Sequence, residues 1–154
     1  MLKSDELLNF WDQLAQVHSL VFSVISHHPS NPTAQIGKAE VLVKKVSEHV
    51  VIFQEKGHWL IDDVPSRAFS NSFRFSLDLK TSLVSVEHLR YGENHPVFLF
   101  HLALSGAKRL ESVEAHVCGQ DTYVGNFSWD EKGLKFQWRV IGPKKNDQLT
   151  YYYT

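Results

Sequence analysis

The chain opens on a helical period and then changes to an alternation of two. Leu7, Phe10, Trp11 and Leu14 fall at i, i+3, i+4 and i+7, with Leu8 and Ala15 beside that stripe, so one amphipathic helix is predicted over residues 4–16. Ser4 caps it, and Asp5 and Glu6 follow in the first turn, where carboxylates favour the positive end of the helix dipole. From residue 19 onward β-branched and aromatic side chains become dense and alternate with polar ones, the pattern of a pleated, half-buried surface.

Strands are predicted at 20–26, 36–44, 50–55, 68–77, 82–90, 97–104, 112–118, 122–129, 134–141 and 149–153. In the second, Gly37, Ala39, Val41 and Val43 share a face opposite Lys38 and Glu40; in the fourth, Phe69, Phe73, Phe75 and Leu77 oppose Ser70, Ser72, Arg74 and Ser76. Gly57 is expected to break or bend the run after the third. Turn-rich stretches such as His28-Pro29-Ser30-Asn31-Pro32 and Asp130-Glu131-Lys132-Gly133 separate the strands. About ten strands on short connections imply sequential antiparallel pairing, and a meander that long leaves exposed edges unless it closes. The predicted fold is therefore mainly β, a roughly ten-stranded antiparallel up-and-down barrel over residues 19–154, with the helix covering one end and the whole of 1–154 forming one domain. An open twisted sheet wrapped around the helix is the rival arrangement. Ten strands enclose more width than the eight whose side chains just fill a barrel, so internal space is expected.

Composition narrows the function classes. Apolar residues make up 43% and charged residues 21% of 154, which excludes a disordered or coiled-coil chain. With 16 basic and 17 acidic side chains there is no positive field to gather phosphates, so no nucleic-acid partner is expected. The single cysteine allows no internal disulfide, and the acidic start lacks the apolar core of a signal peptide, which together read as cytoplasmic. No apolar run approaches the ~20 residues of a membrane span.

Candidate chemistry gathers late in the chain. His116-Val117-Cys118 places an imidazole and a thiol on one strand face, and Asp121-Thr122-Tyr123 repeats the alternate spacing after Gly119. His101, on a nearby strand, would be the third ligand of any metal. An isolated H-x-C lacks paired-ligand spacing, so neither a metal nor a cofactor is expected. Glu55, Asp121, His116 and Tyr123 supply residue types for acid–base work, whereas His116 and Cys118 point in parallel and make no nucleophile pair. Arg74 stands among serines; turned inward it would need an anion, a ligand carboxylate or Glu55. Phe136, Trp138 and Val140 form an apolar set opposite Lys135, Gln137 and Arg139, and Tyr151-Tyr152-Tyr153 must send at least one phenol inside.

The set His116-x-Cys118-x-x-Asp121-x-Tyr123, then Trp138-x-Val140-x-Gly142-Pro143-Lys144-Lys145, then a terminal tyrosine strand, resembles a family of small bacterial and fungal proteins of unknown function. Ile36-Gly37-x-Ala39-x-Val41, Phe53-x-Glu55-x-Gly57 and Phe100-His101 match it more loosely. The resemblance implies a lipocalin-like, calycin-type barrel and brings no activity with it.

Three readings follow. The first is a barrel that binds a small apolar or amphipathic molecule with a polar or anionic end, lined by Glu55, Arg74, His101, His116, Cys118, Asp121, Tyr123 and Trp138. The second is an isomerase or lyase on the same scaffold, with Asp121 or Glu55 as base and Tyr123 or His116 as acid. The third is an interaction or oligomer-forming protein with a filled barrel.

Overall fold

The computed structural model describes residues 3–30 and 32–154; Met1, Leu2 and Asn31, the last of them in the turn predicted at 28–32, lie outside the described residues. Helix α1 (Lys3–Ala15) precedes strands β1 (Ser19–Ser26), β2 (Thr33–Ser47), β3 (Val50–Ile61), β4 (Val64–Asp78), β5 (Leu83–His88), β6 (Val97–Gly106), β7 (Arg109–Ser112), β8 (His116–Cys118), β9 (Asp121–Asp130), β10 (Gly133–Ile141) and β11 (Asn146–Tyr153). Strands β1 to β7 pair antiparallel in sequence order, β9 joins β7 to β10, and β11 joins β10 back to β1. Ten strands thus close into a barrel. Of the strand predicted at 112–118 only Ser112 and residues 116–118 are strand: β7 starts earlier, at Arg109, residues 113–115 loop out, and His116 rejoins β9 opposite Tyr123, so β8 continues the line of β7.

Gly57 bends β3 without ending it. The Lys38 carbonyl oxygen lies 1.9 Å from where a Cβ on Gly57 would sit, an approach that glycine alone permits. β3 therefore runs on to a two-residue turn at Asp62 and Asp63, both with positive φ (50° and 68°), the twist that suits a tight hairpin.

Alternation decides what faces inward. Gly37, Ala39 and Val41 of β2 are buried while Lys38 and Glu40 are exposed, and Phe73, Phe75 and Leu77 of β4 enter the core while Arg74 and Ser76 lie on the outer face. The internal space expected of ten strands is taken up at mid-barrel by aromatic rings. Phe75 of β4 meets Phe127 and Phe136 of the opposite wall at 6.0 and 6.3 Å, and Phe127 stacks on Phe136 at 4.2 Å. Rings supply volume that aliphatic side chains could not, and their edge-to-face contacts add to the burial.

Helix α1 closes one end. Its buried stripe is Leu7, Phe10, Trp11 and Leu14; Phe10 packs on Phe127 and Trp129 at 5.1 and 5.0 Å. The Trp11 indole N–H donates to the Glu48 carbonyl at 2.8 Å, and the Gln13 amide to the Asp130 carbonyl at 2.7 Å. These bonds pin the helix to the β2–β3 and β9–β10 turns. No described helix is long and apolar enough to cross a membrane.

Candidate functional site

Toward the end away from the helix, the apolar lining gives way to polar side chains. Along the inward row of β3, Val51 and Phe53 are followed by Glu55, which is 0% exposed. Its register partners are Val41 on β2 and Asn71 on β4. Across the barrel the inward row of β11 brings Tyr151 and Tyr153, and β5 ends with His88.

These side chains form two hydrogen-bonded groups, Arg90–His88–Asn71–Tyr151 and Tyr153–Glu55. The Tyr153 hydroxyl donates to Glu55 Oε2 at 2.5 Å, and Glu55 Oε1 has no hydrogen-bond partner among the described residues. The Asn71 amide donates to the Tyr151 hydroxyl at 3.4 Å. Arg90 Nε donates to His88 Nδ1 at 3.1 Å, which leaves the His88 proton on Nε2, where it is given to Asn71 Oδ1. His88 stacks on Phe73, and Trp138 packs on Tyr151 at 4.7 Å. The first group runs from Arg90 at the surface inward to Tyr151, and at the end of β5 a cleft of about 450 Å³ on the outer side is lined by Gln54, Lys56, Ser70, Ser72, His88 and Arg90, with the fully buried Glu55 beneath it.

Burial sets the protonation states. Desolvation pushes Glu55 up to about 8 against the hydrogen bond from Tyr153, so near neutral pH the carboxyl is largely uncharged. His88 is pushed down to about 4, by burial first and by the Arg90 charge second, and stays neutral. Both phenols are held above their ordinary value by burial and then by the neighbouring Glu55. The site therefore offers one uncommitted carboxyl oxygen and the Tyr151 hydroxyl proton, within electrostatic reach of one another and unbonded to each other.

The sequence-predicted residues fall into separate places. Glu55 and Trp138 face the interior of this end. Arg74 is turned away from it, because its neighbours Phe73 and Phe75 take the inward positions; it pairs with Glu87 on the outer face at 2.8 Å and touches no interior carboxylate. His101 is on the outer face as well, bonded through Nδ1 to Ser85. His116, Cys118, Asp121 and Tyr123 sit together on the β8–β9 hairpin, with His116 opposite Tyr123 and an exposed Cys118 opposite Asp121; Lys145 lies 3.8 Å from Asp121. No three His, Cys, Asp or Glu side chains converge as metal ligands among the described residues. Asn71 and His88 escaped the sequence reading. Their signal was a polar residue in an inward row, Phe69-Asn71-Phe73-Phe75 and Val84-Val86-His88.

Among solved structures, that of EF1p2_mFAP2b bound to DFHBI is similar over 93% of this chain and 94% of its own, with 10% identity and a TM-score of 0.47. That of a redesigned beta barrel, mFAP1, bound to DFHBI is similar over 92% and 97%, with 8% identity and a TM-score of 0.42. No curated protein matches the chain. Residues 20–154 match DUF6314, a family of unknown function, and the chain belongs to that family.

Proposed function

We propose that the protein binds a small, largely apolar molecule whose polar end is hydrogen-bonded by Glu55 and Tyr151. The observation that carries the reading is the orphaned Glu55 Oε1. A buried carboxyl with an unpaired oxygen costs on the order of 1–3 kcal/mol that the fold alone does not return. A ligand group seated there would satisfy that oxygen. The aromatic surroundings, Phe53, Phe73, Trp138 and the two tyrosines, suit an apolar body, and the packed middle of the barrel confines the ligand to this end. The uncharged state of Glu55 favours a neutral polar end, such as a carbonyl or amide, over an anionic one. An exposed, unpaired Cys118 agrees with a reducing cytoplasm as the place where this happens.

Native mass spectrometry of protein purified from cells is expected to show a retained small molecule that Glu55→Gln loses. The reading fails if the wild type carries nothing and no aromatic ketone or amide in a panel raises its melting temperature.

A second reading rests on one further feature. A carboxyl held near neutrality beside a phenol suits proton transfer, with Glu55 as base and Tyr151 as donor to a developing oxyanion. Exchange of a bound ketone's α-hydrogens with deuterated solvent, followed by NMR, separates the two: exchange that Glu55→Gln abolishes supports catalysis, and binding without exchange supports a carrier.

A further inference from the structure

The wall of the barrel is open between β6 and β8. β6 pairs with β7 from Leu102 to Gly106, but its residues 97–101 face β8 without a ladder, and the bond from Val113 N–H to the His101 carbonyl, at 2.9 Å, marks where pairing stops. Two local irregularities create the opening. Residues 113–115 loop out between β7 and β8, and Leu99 is an extra residue in β6, since Val86 faces Phe100 while Glu87 faces Phe98. In such a bulge two successive residues share one face. Leu99 and Phe100 both enter the core, 3% and 1% exposed, and Phe98 is turned outward against its parity with Phe100 and Leu102.

The opening is a cleft of about 510 Å³, within the usual size range of small-molecule sites, lined by Leu83, Phe98, Phe100, His101, His116 and Val117 and rimmed by Glu114. The Phe98 ring is in contact with two imidazoles, 4.8 Å from His101 and 4.9 Å edge-on from His116. His101 spends Nδ1 on Ser85 Oγ; its Nε2 and both nitrogens of His116 have no hydrogen-bond partner among the described residues. Of the nearby carboxylates, Asp121 has Lys145 and Glu87 has Arg74, and Glu114 is exposed to solvent.

The geometry points to this cleft as a binding site separate from Glu55, for a flat aromatic molecule carrying one acidic group. Its ring lies against Phe98 over the floor at Phe100, and the acid accepts hydrogen bonds from the imidazoles of His101 and His116. This use gives the His116 pattern of the sequence a role that the Glu55 end does not.

The probe is 2-naphthoate, with its methyl ester as the uncharged control, titrated against the whole chain by calorimetry and by NMR. Naphthoate is expected to bind at least tenfold more tightly than the ester and to shift the imidazole resonances of His101 and His116. His116→Gln and Phe98→Leu, each checked for cooperative melting, are expected to weaken it at least tenfold, and Glu55→Gln to leave it unchanged. Ester binding as tight as that of the acid, or an affinity that neither variant alters, overturns the proposal. Loss of naphthoate binding in Glu55→Gln overturns it as well, by placing the probe in the barrel end.

Discussion

The Tyr153 hydroxyl and Glu55 Oε2 lie 2.5 Å apart, across 98 positions of sequence and with both residues 0% exposed. The bond ties β3 to β11 through the interior and is half of what the carboxyl needs. Tyr153→Phe leaves both carboxyl oxygens without partners and is expected to cost about 1–3 kcal/mol in urea unfolding. Glu55→Leu orphans the phenol and costs a similar amount, whereas the double variant removes both groups and should be close to wild type or more stable. Additive losses in the cycle would show that the two do not interact.

Stability should also trace the two buried titrations, whose signs oppose. Glu55 is raised to about 8 from an unfolded value of 4.5, so its contribution is full below pH 4.5 and is lost as pH rises toward 8. His88 is lowered to about 4 from 6.5, so its contribution is full above pH 6.5 and is lost as pH falls toward 4. Each slope is about 1.4 kcal/mol per pH unit. Between pH 4.5 and 6.5 they offset one another, which predicts a plateau, with a fall above 6.5 from Glu55 alone. In Glu55→Gln that upper fall disappears and stability climbs with pH up to 6.5. Chemical denaturation at half-unit pH intervals measures both curves.

Arg74 gives the contrasting case. Its guanidinium is paired with Glu87 on the outer wall, the two side chains 24% and 22% exposed, and solvent screens the pair. Arg74→Ala is expected to lower stability by no more than about 1 kcal/mol and to leave ligand uptake at the Glu55 end intact. A large loss of uptake would place Arg74 in a role that its outward position does not provide.

The barrel was legible because alternation is a local property. Phe73, Arg74 and Phe75 each occupy the face their parity assigns, and the closing turns were marked by Gly, Asp and Pro. Four features were not legible, each for a physical reason. Leu99 shifts parity by one, so Phe98 lies outward although it alternates with the inward Phe100 and Leu102. The excursion at 113–115 falls inside a predicted strand because it carries no glycine or proline. The pairing of Glu55 with Tyr153, and of Asn71 with His88, depends on which strands meet across a closed ring, and sequence spacing holds no record of that. The expected void disappeared because ring volumes at mid-barrel match the extra width, a sum over opposite walls that no single strand reveals.

The fit between Phe100 and Gly125 puts that mid-barrel packing to a direct test. A Cβ built on Gly125 would lie 2.5 Å from the Phe100 ring, and Phe100, 1% exposed, also packs on Phe136 at 6.0 Å. A methyl on Gly125 forces the Phe100 ring, which is packed on Phe136, to shift. Gly125→Ala should therefore destabilise by about 1–3 kcal/mol through overpacking, although alanine is otherwise the better strand residue. Phe100→Leu alone should cost a comparable amount by leaving a cavity. Combined, the smaller side chain makes room for the added methyl, so the double variant is expected to be more stable than the sum of the two losses predicts. Strict additivity in guanidinium unfolding would mean that the ring and the glycine are not in contact, and that the middle of the barrel is looser than its ring-to-ring distances imply.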